Sequence, residues 1–220
     1  KKLMPQRPIP TIVVTSLPLN ALDALQAGAV DFVKKPVVKG PNDLKNFIKD
    51  LAFKIKIAST AKVRRALPAT ARTMPSLTQR LSANKSYSPN QIIAIGASTG
   101  GTEAILEVVK DLPPKTPGIV IVQHIPPVFS KMYAQRLDKI CKMSCKEAED
   151  NDRVLPGRII VAAGEYHMRL AKDAKGYYIR SQKGERVNGH CPSVDVLFNS
   201  VAEVAGKDAV FTVTVNSPEN

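Results

Sequence analysis

Ile92-Ile93-Ala94-Ile95-Gly96-Ala97-Ser98-Thr99-Gly100-Gly101 is the stretch that decides the fold. Its first four residues are apolar, three of them β-branched, which suits a strand buried within a parallel sheet. Residues 102–111 then read as a helix. Between them the backbone must bend sharply, and only small residues permit that. Such a turn lifts the Ser98 hydroxyl to the carboxyl edge of the sheet. The helix start just beyond it offers unsatisfied N–H groups and a positive dipole end. Residues 96–100 also fit G-x-S-x-G, the nucleophile-elbow pattern. In that reading Ser98 is the nucleophile, and the backbone N–H of Thr99 is the first donor to a developing oxyanion. A plain tight turn stays open, as does a loop that cradles phosphate. Serine at position 98 breaks G-x-G-x-x-G, and no GK[ST] ending follows.

Working outward, Ile119 to Val122 is a second buried strand, and His124 stands just past its end in Gln123-His124-Ile125-Pro126-Pro127. A right-handed crossover sets consecutive parallel strands side by side with their carboxyl ends level. Strand tips about 5 Å apart bring Ser98 and His124 within hydrogen-bond reach, where an imidazole can take the serine proton. A histidine that only finishes a strand is the alternative. A third, acidic member would fix the imidazole tautomer, and no convincing one is found. Asp195 is explained by the first turn of a helix over 193–205, and Glu147, Glu149, Asp150 and Asp152 read as a solvated loop. Residues 128–140 form another helix, capped by Ser130 or begun after the two prolines. The stretch 154–183 looks antiparallel, with strands near 158–162, 167–171 and 176–181. A last strand runs from Ala209 to Val215, and Ser193 caps the helix before it.

The front of the chain repeats the alternation. Residues 9–16 form a strand, Pro18 to Ala27 a helix closed by Gly28, Ala29 to Val33 a strand, and 42–57 a helix capped by Asn42. The second helix carries Leu44, Phe47, Ile48, Leu51 and Ile55 on one face. A βαβα piece this small implies part of a parallel, doubly wound domain. Residues 59–90 hold six basic residues, no acidic one, and Pro68, Pro75 and Pro89, the composition of a linker.

Charge follows that division. Residues 1–90 carry 16 Lys and Arg against 4 Asp and Glu, whereas residues 91–220 carry 16 against 15. No aromatic residues alternate with the basic ones of the linker, so it lacks the stacking platforms of single-strand binding, and a solvated tether with no nucleic-acid partner is expected. No apolar run reaches the roughly 18 residues of a membrane span, so no membrane insertion and a cytoplasmic location are expected. Cys141, Cys145 and Cys191 are an odd set and lack CxxC spacing. They read as reduced thiols, with Cys141 and Cys145 on one face if that segment is helical.

Five motifs in order carry a resemblance: Gly96-Ala97-Ser98-Thr99-Gly100-Gly101-Thr102-Glu103-Ala104, Gln123-His124-Ile125-Pro126-Pro127, Lys146-Glu147-Ala148-Glu149-Asp150, Val154-Leu155-Pro156-Gly157 and Pro192-Ser193-Val194-Asp195-Val196-Leu197-Phe198. Together they resemble the catalytic domain of the chemotaxis protein-glutamate methylesterases, the CheB family. The front piece resembles the second half of that family's receiver domain.

The resemblance implies an α/β protein cut short at both ends. It would comprise a partial receiver (flavodoxin-like) domain over 1–58, a linker over 59–90, and a parallel-sheet catalytic domain over 91–220 lacking its C-terminal part. It implies hydrolysis of glutamate γ-methyl esters, and deamidation of glutamines, on methyl-accepting chemoreceptors, by Ser98 with His124 as base. No metal or other cofactor is implied. Thr15 matches the hydroxyl that senses phosphorylation, and Lys35 the lysine that contacts the phosphoryl group. The phosphoryl-accepting aspartate falls in the missing half, and a chemotaxis histidine kinase would be the partner of a whole receiver. The family's triad acid lies in a glycine-rich turn after the last strand, where this chain reads Asn216-Ser217-Pro218-Glu219-Asn220. Cys191 stands where relatives often have a polar residue. Two other readings stay open, a nucleotide- or phosphate-binding module and a non-catalytic fragment that docks on receptors.

Overall fold

The structure, a computed structural model, describes residues 7–38, 40–60 and 90–214. They fall into two units, divided between residues 60 and 90. Most of the stretch read as a linker, and residues 215–220, lie outside the described residues.

In the first unit, strand β1 (Ile12–Thr15), helix α1 (Pro18–Gln26), strand β2 (Asp31–Lys34) and helix α2 (Pro41–Thr60) follow in order. The two strands pair in parallel, with Ile12 opposite Asp31 and Thr15 opposite Lys34. Gly28, at φ 99°, ends α1 as expected. Its N–H donates to Leu25 O, and the Ala29 N–H reaches back to Ala24 O. Asn42 is not the cap of α2. The helix starts one residue earlier, and the Asp43 carboxylate accepts the Gly40 N–H at 3.0 Å. The helix also runs to Thr60, two residues into the stretch read as linker. Its expected apolar face is only partly covered: Leu44, Ile48 and Ile55 are exposed, and burial falls on Ile57 and Ala58. Two short strands offer too little surface for five and a half turns of helix. Asp31, 5 % exposed, is held by Lys54 at 3.2 Å.

Among the described residues the second unit is built on a five-stranded parallel sheet. Its strands are β3 (Ile92–Ala97), β4 (Gly118–Gln123), β5 (Ser144–Glu147), β6 (Arg158–Val161) and β9 (Ala209–Thr214), in the order β5-β6-β4-β3-β9. Strands β7 (Tyr166–Asp173) and β8 (Gly176–Lys183) form a separate antiparallel pair. The helices are α3 (Gly101–Val109), α4 (Phe129–Ile140) and α5 (Val194–Ala205). All six residues of β4 are buried, as a central strand covered on both faces requires. On one face Ile92, Ala94, Val120, Val122 and Ile160 pack with Met168, Leu170 and Ile179 of the hairpin and with Leu197 and Val201 of α5. The alternate residues Ile95, Ile119, Ile121 and Ile159 are equally buried, pointing to the opposite side.

Three sequence expectations change. Residues 158–161 are not antiparallel: β6 runs parallel to β4 and β5 inside the main sheet, and only β7 and β8 pair as expected. Residues 144–147 are a strand, not the lead into a solvated loop. As an edge strand, β5 can carry the exposed Ser144 toward water, while Cys145 is buried and Glu147 bonds Ser130. Cys141 ends α4 and Cys145 lies on β5, so they share no helix face. Burial pushes the Cys141 thiol up to about 11, and Cys145 higher still.

Candidate active site

The β3–β4 ladder holds Ile92 opposite Gly118 through Ala97 opposite Gln123. One further hydrogen bond, His124 N–H to Ala97 O at 3.3 Å, carries the two chains past their strand ends in step. Residues 98 and 124 therefore leave the sheet together. The Ser98 Oγ lies 3.3 Å from His124 Nδ1, and both residues are half-buried. Such contacts are often long in an unliganded site and tighten when substrate binds. The nitrogen facing the hydroxyl is Nδ1, so the tautomer able to accept the serine proton carries its own proton on Nε2.

The turn itself is held by its carbonyl. Ser98 O accepts the Gly101 N–H at 2.9 Å and the Gln123 side-chain amide Nε2 at 2.7 Å. Positive φ falls on Gly100, at 77°, and not on Ser98. The bend that a nucleophile elbow concentrates on its serine is here taken two residues later, where glycine adopts it without strain. Thr99 is buried just ahead of α3.

Gly101 has no room for a side chain. A Cβ there would meet Gln123 Oε1 at 2.1 Å and Ala97 Cβ at 2.5 Å. Gly101→Ala is expected to lower stability by about 1–3 kcal/mol through overpacking, read as the urea midpoint. An unchanged midpoint would show that the turn accommodates the methyl group.

Beyond His124, α4 begins after the two prolines, as one of the two expectations had it, and Ser130 is not its cap. Val128, at φ 72°, precedes the helix, a rare conformation for a β-branched residue. Ser130 instead donates to Glu147 Oε1 at 2.5 Å and accepts the Gly164 N–H at 3.0 Å. It thereby ties the first turn of α4 to the end of β5 and to the loop after β6. Ser193 precedes α5 without a side-chain cap bond.

The acids weighed for a triad are engaged elsewhere. Glu147 takes Ser130, Asp152 takes Lys146 and the Glu149 N–H, Glu149 takes Lys146, Asp150 takes Arg180, and Asp195 takes Asn188. Glu147 lies on β5 and not in a solvated loop, whereas Glu149 and Asp150 are exposed in the loop that follows, which Asp152 fastens.

Sequence reading missed the ring that stacks on His124. His190 lies with its centroid 3.7 Å away and its plane 8° from parallel. In the first unit Thr15 and Lys35 leave adjacent strand ends, with Lys35 N–H donating to Thr15 O at 2.9 Å and Thr15 Oγ1 accepting the Leu17 N–H at 3.0 Å.

Fold and site together define a parallel-sheet α/β protein with a serine–histidine pair at the carboxyl edge of its central strands. The sequence model of the CheB methylesterase family matches residues 93–214, and the chain belongs to that family. A protein-glutamate methylesterase/protein-glutamine glutaminase 2 of Syntrophomonas wolfei is 47 % identical over 210 residues, covering 96 % of this chain and 60 % of its own length. A protein-glutamate methylesterase/protein-glutamine glutaminase of Salmonella typhimurium is 44 % identical over 214 residues, with the same coverage of 96 % and 60 %. The chain thus spans about three fifths of the curated relatives it matches. The crystal structure of the Thermotoga maritima CheB methylesterase catalytic domain shares 33 % identity at a TM-score of 0.55, covering 57 % of this chain and 67 % of that one. These matches do not favour a nucleotide-binding module. Among the described residues no helix is long and apolar enough to cross a membrane, and no cluster of three His, Cys, Asp or Glu could hold a metal.

Proposed function

We propose that this chain carries the serine chemistry of a protein-glutamate methylesterase and glutamine deamidase. Ser98 Oγ attacks the γ-carbonyl of a glutamate methyl ester while His124 Nδ1 takes its proton. The tetrahedral oxyanion is held by the Thr99 N–H at the start of α3. His124 returns the proton to the departing oxygen, methanol leaves, and water hydrolyses the acyl-serine to glutamate. With glutamine the leaving group is ammonia. Needing no metal or other cofactor, this chemistry fits the residues present. The resemblance puts the acid that would steady the imidazole in a glycine-rich turn after β9, a pattern that Asn216-Ser217-Pro218-Glu219-Asn220 does not match. The observation that carries the reading is the 3.3 Å approach of Ser98 Oγ and His124 Nδ1.

By the same resemblance the substrates are methyl-accepting chemoreceptors, and the setting is the cytoplasm. The first unit is the second half of a receiver domain, with Thr15 and Lys35 as its switch residues. The parallel β1–β2 pair, with both residues at its carboxyl end, supports that reading. A chemotaxis histidine kinase would act on the whole receiver.

A fluorophosphonate probe tests the serine. Labelling that mass spectrometry maps to Ser98, slowed by a peptide bearing glutamate γ-methyl ester, is the expected result. Labelling elsewhere, or thermal stabilisation by ATP with no labelling, would overturn it.

A further inference from the structure

The segment between β8 and α5 is fastened at several points, and together they present one ring. His167 of β7, 6 % exposed, accepts the Ser193 N–H on Nδ1 at 3.3 Å. That leaves its Nε2–H to donate to Glu185 O at 2.7 Å, so one imidazole grips both ends of the segment. Gly184 has no room for a Cβ, which would sit 2.8 Å from His167 Cδ2. Val187 and His190 exchange two backbone hydrogen bonds of 3.0 Å across Asn188 and Gly189, at φ 51° and 79°. Two consecutive positive φ values make a tight two-residue hairpin turn. The Asn188 side chain donates to Asp195 Oδ2 at 2.6 Å, Arg186 donates to Gly189 O at 3.2 Å, and Glu165 N–H reaches Cys191 O at 3.3 Å.

At the end of this turn His190 lies flat on the His124 ring, 3.7 Å away and 8° from parallel. The torsion that orients an imidazole about its Cβ–Cγ bond is broad and has no sharp rotamer wells. A histidine just past a strand end therefore needs packing to set its ring plane. That plane decides whether Nδ1 points at Ser98 Oγ or swings past it. We infer that His190 is a positioning residue for the serine chemistry, its ring forming a wall that holds the His124 imidazole in line with Ser98. The inference rests on the proposed role of Ser98 and His124. It needs only the flat face of residue 190 and neither of its ring nitrogens.

Two substitutions in the full chain separate a wall from a mere surface contact, with Ser98 capture by the fluorophosphonate followed over a range of probe concentrations. His190→Ala is expected to slow the maximal capture rate roughly 10- to 100-fold, the scale of misorienting a reacting group, with half-saturation and melting temperature unchanged. His190→Phe, which keeps a stacking face, is expected to recover the rate to within about threefold. A wild-type rate in His190→Ala overturns the inference. So does a His190→Phe as slow as the alanine variant, or a loss that follows the melting temperature. The ring signals of His124 in a nitrogen-correlated NMR spectrum give a second reading. They should change in His190→Ala and return in His190→Phe. If the wild-type chain is never labelled, the serine chemistry fails, and these signals alone decide the wall: unchanged signals in His190→Ala sink it.

Discussion

His124→Ala slows fluorophosphonate capture of Ser98 by roughly 10³- to 10⁴-fold, the scale of removing a triad base and at the upper end of general-base catalysis. A serine hydroxyl is a weak nucleophile until a base removes its proton as the new bond forms. The group within reach of Ser98 Oγ for that task is His124 Nδ1, at 3.3 Å. His124→Gln should be equally slow, because an amide can hydrogen-bond to the hydroxyl and still cannot accept its proton. The imidazole is half-buried at a strand end, and the sheet beneath it is closed by Ile95, Ile121 and Val122, each 2 % exposed or less. Melting temperatures of both variants should therefore stay within a few degrees of wild type. Capture within tenfold of the wild-type rate would remove His124 as the base. So would a loss that tracks unfolding.

What the sequence discloses and what it hides divide along a physical line. Ile92-Ile93-Ala94-Ile95 and Ile119 to Val122 are apolar without interruption because both faces of their strands are covered, and that leaves a local mark. The elbow leaves one too, since its small residues are a backbone requirement. Those two strands and the crossover rule already bring Ser98 and His124 to neighbouring strand ends. The edge strand β5 leaves no mark. Ser144, Lys146 and Glu147 look like loop residues because one edge of their backbone pairs with β6 and the other, among the described residues, has no neighbouring strand in the sheet. The direction of β6 is hidden for a related reason: four residues fit a parallel or an antiparallel ladder equally well.

Contacts between distant segments are harder still. The amide of Gln123 that holds Ser98 O comes from 25 residues away, and the Ser130–Glu147 bond spans 17. Either residue read alone is an ordinary polar side chain. The histidine stack is the sharpest instance, since His190 sits 66 positions from His124 in a segment whose course depends on β7 and α5. The cap expected of Ser130 is lost to tertiary partners. Ser130 is an apt cap by type, yet its hydroxyl is committed to Glu147 and Gly164.

Removing the Glu103 carboxylate should give the largest loss of stability among the surface-accessible positions near the site. Glu103 stands in the first turn of α3, where an acid also favours the helix dipole. Its two oxygens take the Arg136 guanidinium of α4 at 2.6 and 3.2 Å. The arginine side chain is 9 % exposed and the glutamate 37 %. The two ends of the bond are therefore unequal: Glu103 can turn to water, whereas Arg136 cannot without leaving its place in the packing, and a guanidinium does not deprotonate. Glu103→Ala strands a buried charge, at a cost of about 2–4 kcal/mol, discounted from the 3–5 of a fully buried pair because the glutamate is partly wet. A urea titration of Glu103→Ala should show that loss as a lower midpoint at unchanged slope. The double variant Glu103→Ala with Arg136→Met should recover most of it, because the methionine stem fills the same space without a charge. The pair joins the helix that begins at the serine turn to the helix that follows the histidine loop, and Tyr133 Oη–H donates to Thr102 O beside it at 2.9 Å. A loosened Glu103→Ala chain should accordingly capture the probe at Ser98 more slowly even where it is still folded, and the double variant should regain that rate in part. A loss under about 1 kcal/mol in Glu103→Ala, or a double variant no more stable than the single one, would show that Arg136 finds water or another acceptor.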